Sequence, residues 1–100
     1  MAWDFLKSFI KASLLIELEK AALRCKAEVD KDVYYQEVFV GKRKLDVIVE
    51  QSVLVELKAL NKVDNSCYNQ ILNYLRVFKM EVALLLNFGA PGLQFKTFVL

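Results

Sequence analysis

The sequence predicts an α/β fold, a small mixed sheet flanked by two helices. Three observations carry this. Apolar residues recur at three- and four-residue steps over residues 3 to 24, and again from Tyr68 to Phe78. Between these stretches lie β-branched and aromatic runs, the usual material of strands. After the second helical stretch comes Val82–Leu86, a purely aliphatic run expected of a strand covered on both faces. The order helix, three strands, helix, one or two strands suggests a meander of strands with helices packed on it. The strand after the second helix is expected to return parallel to the central one, through a right-handed crossover.

The first helix is read from Trp3, Leu6, Phe9, Ile10, Leu14, Leu18, Ala21 and Ala22, with Lys7, Lys11 and Glu17 off that stripe. No Pro or Gly interrupts it, and a core-facing amphipathic helix is expected, with a membrane-surface helix as the alternative. From Cys25 the period changes. Val33–Val40 reads as a strand, and Gly41 with Lys42, Arg43 and Lys44 as a hairpin turn with a basic rim. Leu45–Glu50 and Val53–Lys58 read as two further strands, joined tightly at Gln51 and Ser52. Residues 61–66 form a polar loop with Asn65 and Ser66 as candidate helix caps, and the second helix runs to about Lys79. Residues 87–92, including Ala90, read as a turn, and Phe95–Leu100 as an edge strand.

Composition bounds the function. One hundred residues make one domain, 1–100, with no repeat, linker or low-complexity segment. The hydrophobic fraction of 56% exceeds the usual range and points to a sticky surface or a homodimer interface. The net charge is only +2, so nucleic-acid binding would need a local basic patch. Histidine is absent, which removes His-based triads, His-containing zinc sites and imidazole acid–base chemistry. Cys25 and Cys67 stand far apart with no CxxC, and read as free thiols of a reducing cytoplasm. Charges at Asp4, Lys7, Lys11, Glu17, Glu19 and Lys20 break any signal-peptide core or membrane span.

The stretch Leu45–Lys58, LDVIVEQSVLVELK, carries the chemistry. Charges inside the most strand-like part of a small domain are costly unless something compensates them. In a strand over Val53–Lys58, Leu54, Glu56 and Lys58 share one face, with Glu56 and Lys58 roughly 6–7 Å apart. Counting back through the turn places Asp46 opposite Glu56, within about one residue of register. Two carboxylates then face one point, with an ammonium just beyond. A hard cation such as Mg²⁺ takes oxygen ligands, which Asp46, Glu56 and the Leu57 carbonyl could supply. It would bind a phosphate oxygen and lower the pKa of its water, while Lys58 orients that water or neutralises developing charge. This points to hydrolysis of phosphodiesters. The plain alternative is an exposed charged strand face with a Glu–Lys pair, worth a few tenths of a kcal/mol.

The pattern Asp46…Glu56-x-Lys58 resembles the signature of PD-(D/E)XK nucleases, and the chain more specifically resembles the GxxExxR family of small bacterial proteins. The matching words are VYY (Val33–Tyr35), LDVIVE (Leu45–Glu50), VLVELKAL (Val53–Leu60), NQILNYL (Asn69–Leu75) and residues 84–96, with IEL at Ile16–Leu18. The resemblance implies a restriction-endonuclease-like α-β-β-β-α-β core. It implies Asp46 and Glu56 as ligands of Mg²⁺ or Mn²⁺, Lys58 as the catalytic lysine, and nucleic acid, DNA before RNA, as the partner. Gln70 and Tyr74 match a Q-x-x-x-Y pair on the second helix, where i and i+4 share a face. They would orient the site or touch the phosphate backbone. The chain departs from the family at Asp4 and Lys7, which stand at the Gly and Glu of the first-helix motif, and Cys67 stands near a frequent histidine. Glu17 is no simple substitute, since ten residues at about 100° each turn it about 80° away from Lys7. The other expectations are a non-catalytic nucleic-acid-binding module, using Lys42, Arg43, Lys44, Lys58 and Lys62 on phosphates, and a dimeric structural module.

Overall fold

The computed structural model describes residues 2–89 and 91–100, and side chains from Phe5 onward. The side chains of Trp3 and Asp4, and Ala90 in the proposed turn, lie outside the described residues. The elements are α1 (Ala2–Lys20), β1 (Cys25–Tyr35), β2 (Val38–Val49), β3 (Val53–Lys58), α2 (Asn65–Val77), β4 (Val82–Asn87) and β5 (Gln94–Val99). They form one five-stranded sheet in the order β1-β2-β3-β4-β5. Neighbours pair antiparallel except β3 and β4, which run parallel. The mixed sheet with two helices, and the parallel return beside the central strand, are as the sequence predicts.

The alternation of β3 splits the core into two layers. On the α2 side, Leu54 joins Ile48, Ala83, Leu85 and Phe98, packed under Ile71 and Leu75. On the α1 side, Val47, Val49, Val55 and Leu57 meet Leu14, Leu15 and Leu18. Burying each such aliphatic side chain is worth about 1.5–3 kcal/mol. The α1 cover is incomplete. Ala83 and Leu85 of β4 are buried, whereas Val82, Leu84 and Leu86 on its other face are only half-buried. The expected double cover of this strand is therefore one-sided. The N-terminal part of the α1 stripe is likewise not core, since Phe9 is 59% exposed and stacks edge-on with exposed Phe5.

Both helices end in the same way. After α1, Ala22 takes φ +60, its N–H reaches the Glu19 carbonyl, and the Leu23 N–H reaches the Leu18 carbonyl. After α2, Lys79 takes φ +55, and the Met80 N–H reaches the Leu75 carbonyl. These are Schellman turns with non-glycine residues in the left-handed position. They stop the helices before the expected limits of residue 24 and Lys79. The cap of α2 is Asp64, whose Oδ1 accepts from the Cys67 N–H at 3.1 Å, one residue earlier than the expected Asn65 or Ser66.

The first hairpin corrects the sequence reading most. The turn lies at Gln36 and Glu37, with φ +48 and +67, and not at Gly41–Lys44. Two positive central φ values match the right-handed twist of the flanking strands. Gly41 sits inside β2 opposite Val33, beside a bulge at Val33/Tyr34. The β2–β3 turn also spans Glu50 and Gln51, φ +53 and +59, closed by Ser52 N–H to the Val49 carbonyl at 3.0 Å.

The loop after β4 clamps the end of β3. Asn87 is fully buried, and its amide accepts from the Leu60 N–H and donates to the Leu60 carbonyl, both at 2.9 Å. Gly89 lies against this segment, where a Cβ would collide with the backbone of Ala59 and Leu60. The apolar excess of the composition lies on the surface, at Tyr34, Tyr35, Val38 and Phe39 on the hairpin and at Phe95, Val99 and Leu100 on or beside the edge strand β5.

Candidate active site

The site forms where the sheet forks. Pairing of β2 with β3 runs from Val49–Val53 through Ile48–Leu54 to Val47–Val55 and stops there. Beyond that point β2 continues on β1, through Leu45–Val29 to Val33–Gly41, while β3 stays on β4 as far as Lys58–Asn87. Continuing the β2–β3 register would set Asp46 opposite Glu56. The backbone N–H groups freed by the fork need new acceptors, since a buried unpaired N–H is costly. The two carboxylates supply them. Asp46 Oδ2 accepts from the Leu57 N–H at 2.8 Å, and Glu56 Oε1 accepts from the Asp46 N–H at 3.4 Å.

This places both acids in the interior, Asp46 at 8% and Glu56 at 5% exposure. Their ionisation is pushed apart. Burial raises the Asp46 carboxyl, but the Leu57 N–H, the Lys7 and Lys11 ammoniums and a hydrogen bond from Glu56 outweigh it, so Asp46 lies below its ordinary value. Burial, the Asp46 charge and the same shared hydrogen bond push Glu56 up to about 7, against weaker pulls from the Asp46 N–H and then Lys58. Two acids sharing a proton behave as one unit, and the site asks for positive charge.

The chain supplies some of that charge itself. Asp46 Oδ1 lies 3.5 Å from Lys7 Nζ and 3.4 Å from Lys11 Nζ, both on α1. Lys11 also pairs with Glu28 Oε1 at 3.5 Å. Glu28 lies in β1 between Ala27–Val47 and Val29–Leu45, level with Asp46, and takes φ +52. A left-handed non-glycine residue inside a strand is strained, and such strain clusters at functional sites. Lys11 and Glu28 were not among the candidates from the sequence. The available signal was the i, i+4 spacing of Lys7 and Lys11. Glu17 lies elsewhere, exposed and 3.9 Å from Lys20.

On the α2 side, Lys58 Nζ donates to Gln70 Oε1 at 2.9 Å. Tyr74, one turn on, is half-buried, and burial and then the Glu56 charge push its hydroxyl up. Tyr74 therefore remains a proton donor beside the acids. The structure thus brings Asp46, Glu56, Lys58, Gln70 and Tyr74 around one fork, with Leu57 between the last two strand residues. Cys67 is buried at the base of α2, its thiol raised first by burial, and both cysteines are free. The basic residues Lys42 and Arg43 line a hollow with Tyr74 and Phe78, on the side of α2 nearer the first hairpin.

The donor set suits a hard divalent cation. Two carboxylates and a carbonyl leave positions for water, as Mg²⁺ prefers. Among the described residues no three His, Cys, Asp or Glu side chains gather as a metal-holding group, so a closed structural zinc site is not built. The ammoniums on Asp46 Oδ1 mark where positive charge is drawn.

Comparison with known proteins agrees with this architecture. A solved structure titled "Crystal structure of SSO0001" superposes with a TM-score of 0.71 at 17% sequence identity, covering 98% of this chain. The chain spans about half of that protein, 52% of its length. At that identity the likeness shows the restriction-endonuclease-like fold. Comparison with curated proteins gave no match. No described helix is long and apolar enough to cross a membrane. A family model described as the PD-(D/E)XK nuclease superfamily matches residues 1–98, nearly the whole length of the chain, and so this chain belongs to the PD-(D/E)XK nuclease superfamily.

Proposed function

We propose that this chain, a protein of the GxxExxR type, hydrolyses phosphodiester bonds of nucleic acid, DNA in the first instance. Asp46, Glu56 and the Leu57 carbonyl would hold Mg²⁺ or Mn²⁺. The observation that carries this is the meeting of two buried carboxylates at the fork, backed by an ammonium on the same strand. When bound, the cation would polarise a phosphate oxygen and lower the pKa of a water.

The chain's own groups do the rest. Glu56, raised to about 7 without a cation, would release its proton when the cation binds and serve as a charged ligand. Lys58, fixed by Gln70, is aimed by a hydrogen bond of 2.9 Å and can neutralise charge on the phosphate. The Tyr74 hydroxyl can donate to a phosphate oxygen. Lys42 and Arg43, on the same side of α2, can receive the neighbouring backbone.

The test is cleavage of labelled DNA and RNA with Mg²⁺, Mn²⁺ or EDTA. Divalent-dependent cleavage of DNA, lost in Glu56→Ala, is expected. Lys58→Ala should abolish cleavage while changing stability by only about 0.5 kcal/mol, because the side chain is outside the core. Full activity in Lys58→Ala refutes that role.

The ammoniums on Asp46 favour a second reading, a nucleic-acid-binding module that has lost cleavage. Salt-dependent DNA binding, unchanged by EDTA and by Asp46→Ala, would identify it.

A further inference from the structure

Asp46 has two carboxylate oxygens with unequal partners. Oδ2 is tied to the Leu57 N–H at 2.8 Å, inside the sheet. Oδ1 faces α1 and carries both ammoniums. Oδ1 is the Asp46 oxygen with no backbone hydrogen bond, and a divalent cation that coordinates it meets Lys7 and Lys11 there. Cation and ammoniums compete for one oxygen.

The two lysines are held differently. The Lys7 side chain is 36% exposed and has Asp46 as its acidic partner. Lys11 is 14% exposed and is shared with Glu28. Lysine ammoniums are point charges on flexible stems, so both can leave Asp46 without movement of the helix. Leaving needs another anion. Lys7 is partly exposed to solvent, and Glu28, 61% exposed, already shares Lys11 with Asp46 and can keep it when Asp46 is taken by a cation. A phosphodiester arriving at the fork is the anion that the site is built to meet.

We propose that Lys7 and Lys11 form an internal counter-ion lock on Asp46 which nucleic-acid phosphate releases, so that nucleic acid and divalent cation bind this chain cooperatively. This rests on the metal-site reading given above. The coupling is reciprocal: whatever factor nucleic acid adds to cation affinity, the cation adds to nucleic-acid affinity. The lock also keeps buried Asp46 paired in the absence of substrate, where an unpaired charge would be costly.

The experiment follows Mn²⁺ binding by the loss of the free-ion paramagnetic resonance signal. It uses the full chain in the Lys58→Ala background, with and without a short DNA duplex. A duplex of the same sequence with uncharged methylphosphonate linkages serves as comparison. Lys7→Gln/Lys11→Gln is expected to bind Mn²⁺ roughly 5- to 150-fold more tightly than its parent without DNA, the usual span of such coupling. The charged duplex should tighten Mn²⁺ binding in the parent, the methylphosphonate duplex should not, and the gain should shrink in the double variant. Mn²⁺ affinity that is equal in parent and double variant, or a DNA gain that persists in full, overturns the lock while leaving the metal site standing. Absence of saturable Mn²⁺ binding in every variant, with Asp46→Asn indistinguishable from its parent, overturns the metal site itself and the lock with it. A double variant that melts with its parent by circular dichroism confines the effect to the site.

Discussion

Glu56 and Asp46 together set how stability responds to pH. The folded Glu56 carboxyl holds its proton up to about pH 7, whereas in the unfolded chain it releases it near 4.5. Between those values the folded state carries one more proton than the unfolded state, so stability falls as pH rises. At about 1.4 kcal/mol for each tenfold change in proton affinity, the loss is roughly 3 kcal/mol, complete once pH passes the folded value. Asp46, held below its ordinary value, acts in the opposite sense, but only below about pH 4, where its stabilisation is lost as pH falls. Urea midpoints in EDTA should therefore decrease between about pH 5 and about pH 8, and Glu56→Gln should flatten that slope. A wild-type slope unchanged by Glu56→Gln would place the titration elsewhere. Residue by residue, this site was legible where strand alternation decided it. Alternation put Glu56 and Lys58 on one face, and counting through the turn put Asp46 beside them. Lys11 and Glu28 were not legible, because one depends on how α1 docks and the other on a left-handed residue that no local pattern announces.

At the scale of elements, the misplaced features share one cause. Glycine and a basic run at Gly41–Lys44 look like a turn, but the chain turns at Gln36 and Glu37 with positive φ on residues that rarely adopt it. The strand β1 was missed between Cys25 and Asp32, although its residues alternate. Its outward positions are charged and its inward ones include Ala27 and Lys31, so the signal is weak. The helix ends repeat this pattern, with Ala22 and Lys79 in the left-handed position that favours glycine. Each of these residues stores strain. Ala22→Gly should raise stability by about 0.5–1 kcal/mol, because the steric cost of Cβ in that region exceeds the entropy glycine loses. Ala22→Val should lower it, since a β-branched side chain fits the left-handed region worst. Chemical denaturation of the two variants checks both signs, and a destabilised Ala22→Gly would show that the Schellman turn is not strained. Strands β3 and β4 were placed within about a residue by their largely apolar, β-prone runs, since tertiary burial and local propensity agree there.

The whole molecule is asymmetric about its sheet. The α2 layer packs a continuous set of aliphatic side chains from β2, β3, β4 and β5. The α1 layer is built from fewer buried residues, and α1 leaves Phe5, Phe9 and Ile16 exposed. Free energy of local opening follows buried apolar contact, so the two helices should open at different costs. Amide exchange is expected to show β3, β4 and α2 exchanging only through global unfolding. The α1 amides should exchange earlier, through an opening in which the helix leaves the sheet. Leu18→Ala should lower protection in α1 with little effect on α2. Ile71→Ala should lower protection throughout, at a cost of about 2–5 kcal/mol, because it cuts into the larger layer. Equal protection in α1 and β3 would mean that the sheet and both helices open as one unit. The consequence reaches the site. Both cations paired with Asp46 ride on the less firmly held helix, while both acids and Lys58 stand on the sheet. An arrangement that keeps the acids rigid and lets their neutralising charges move suits a centre whose cation arrives with its substrate.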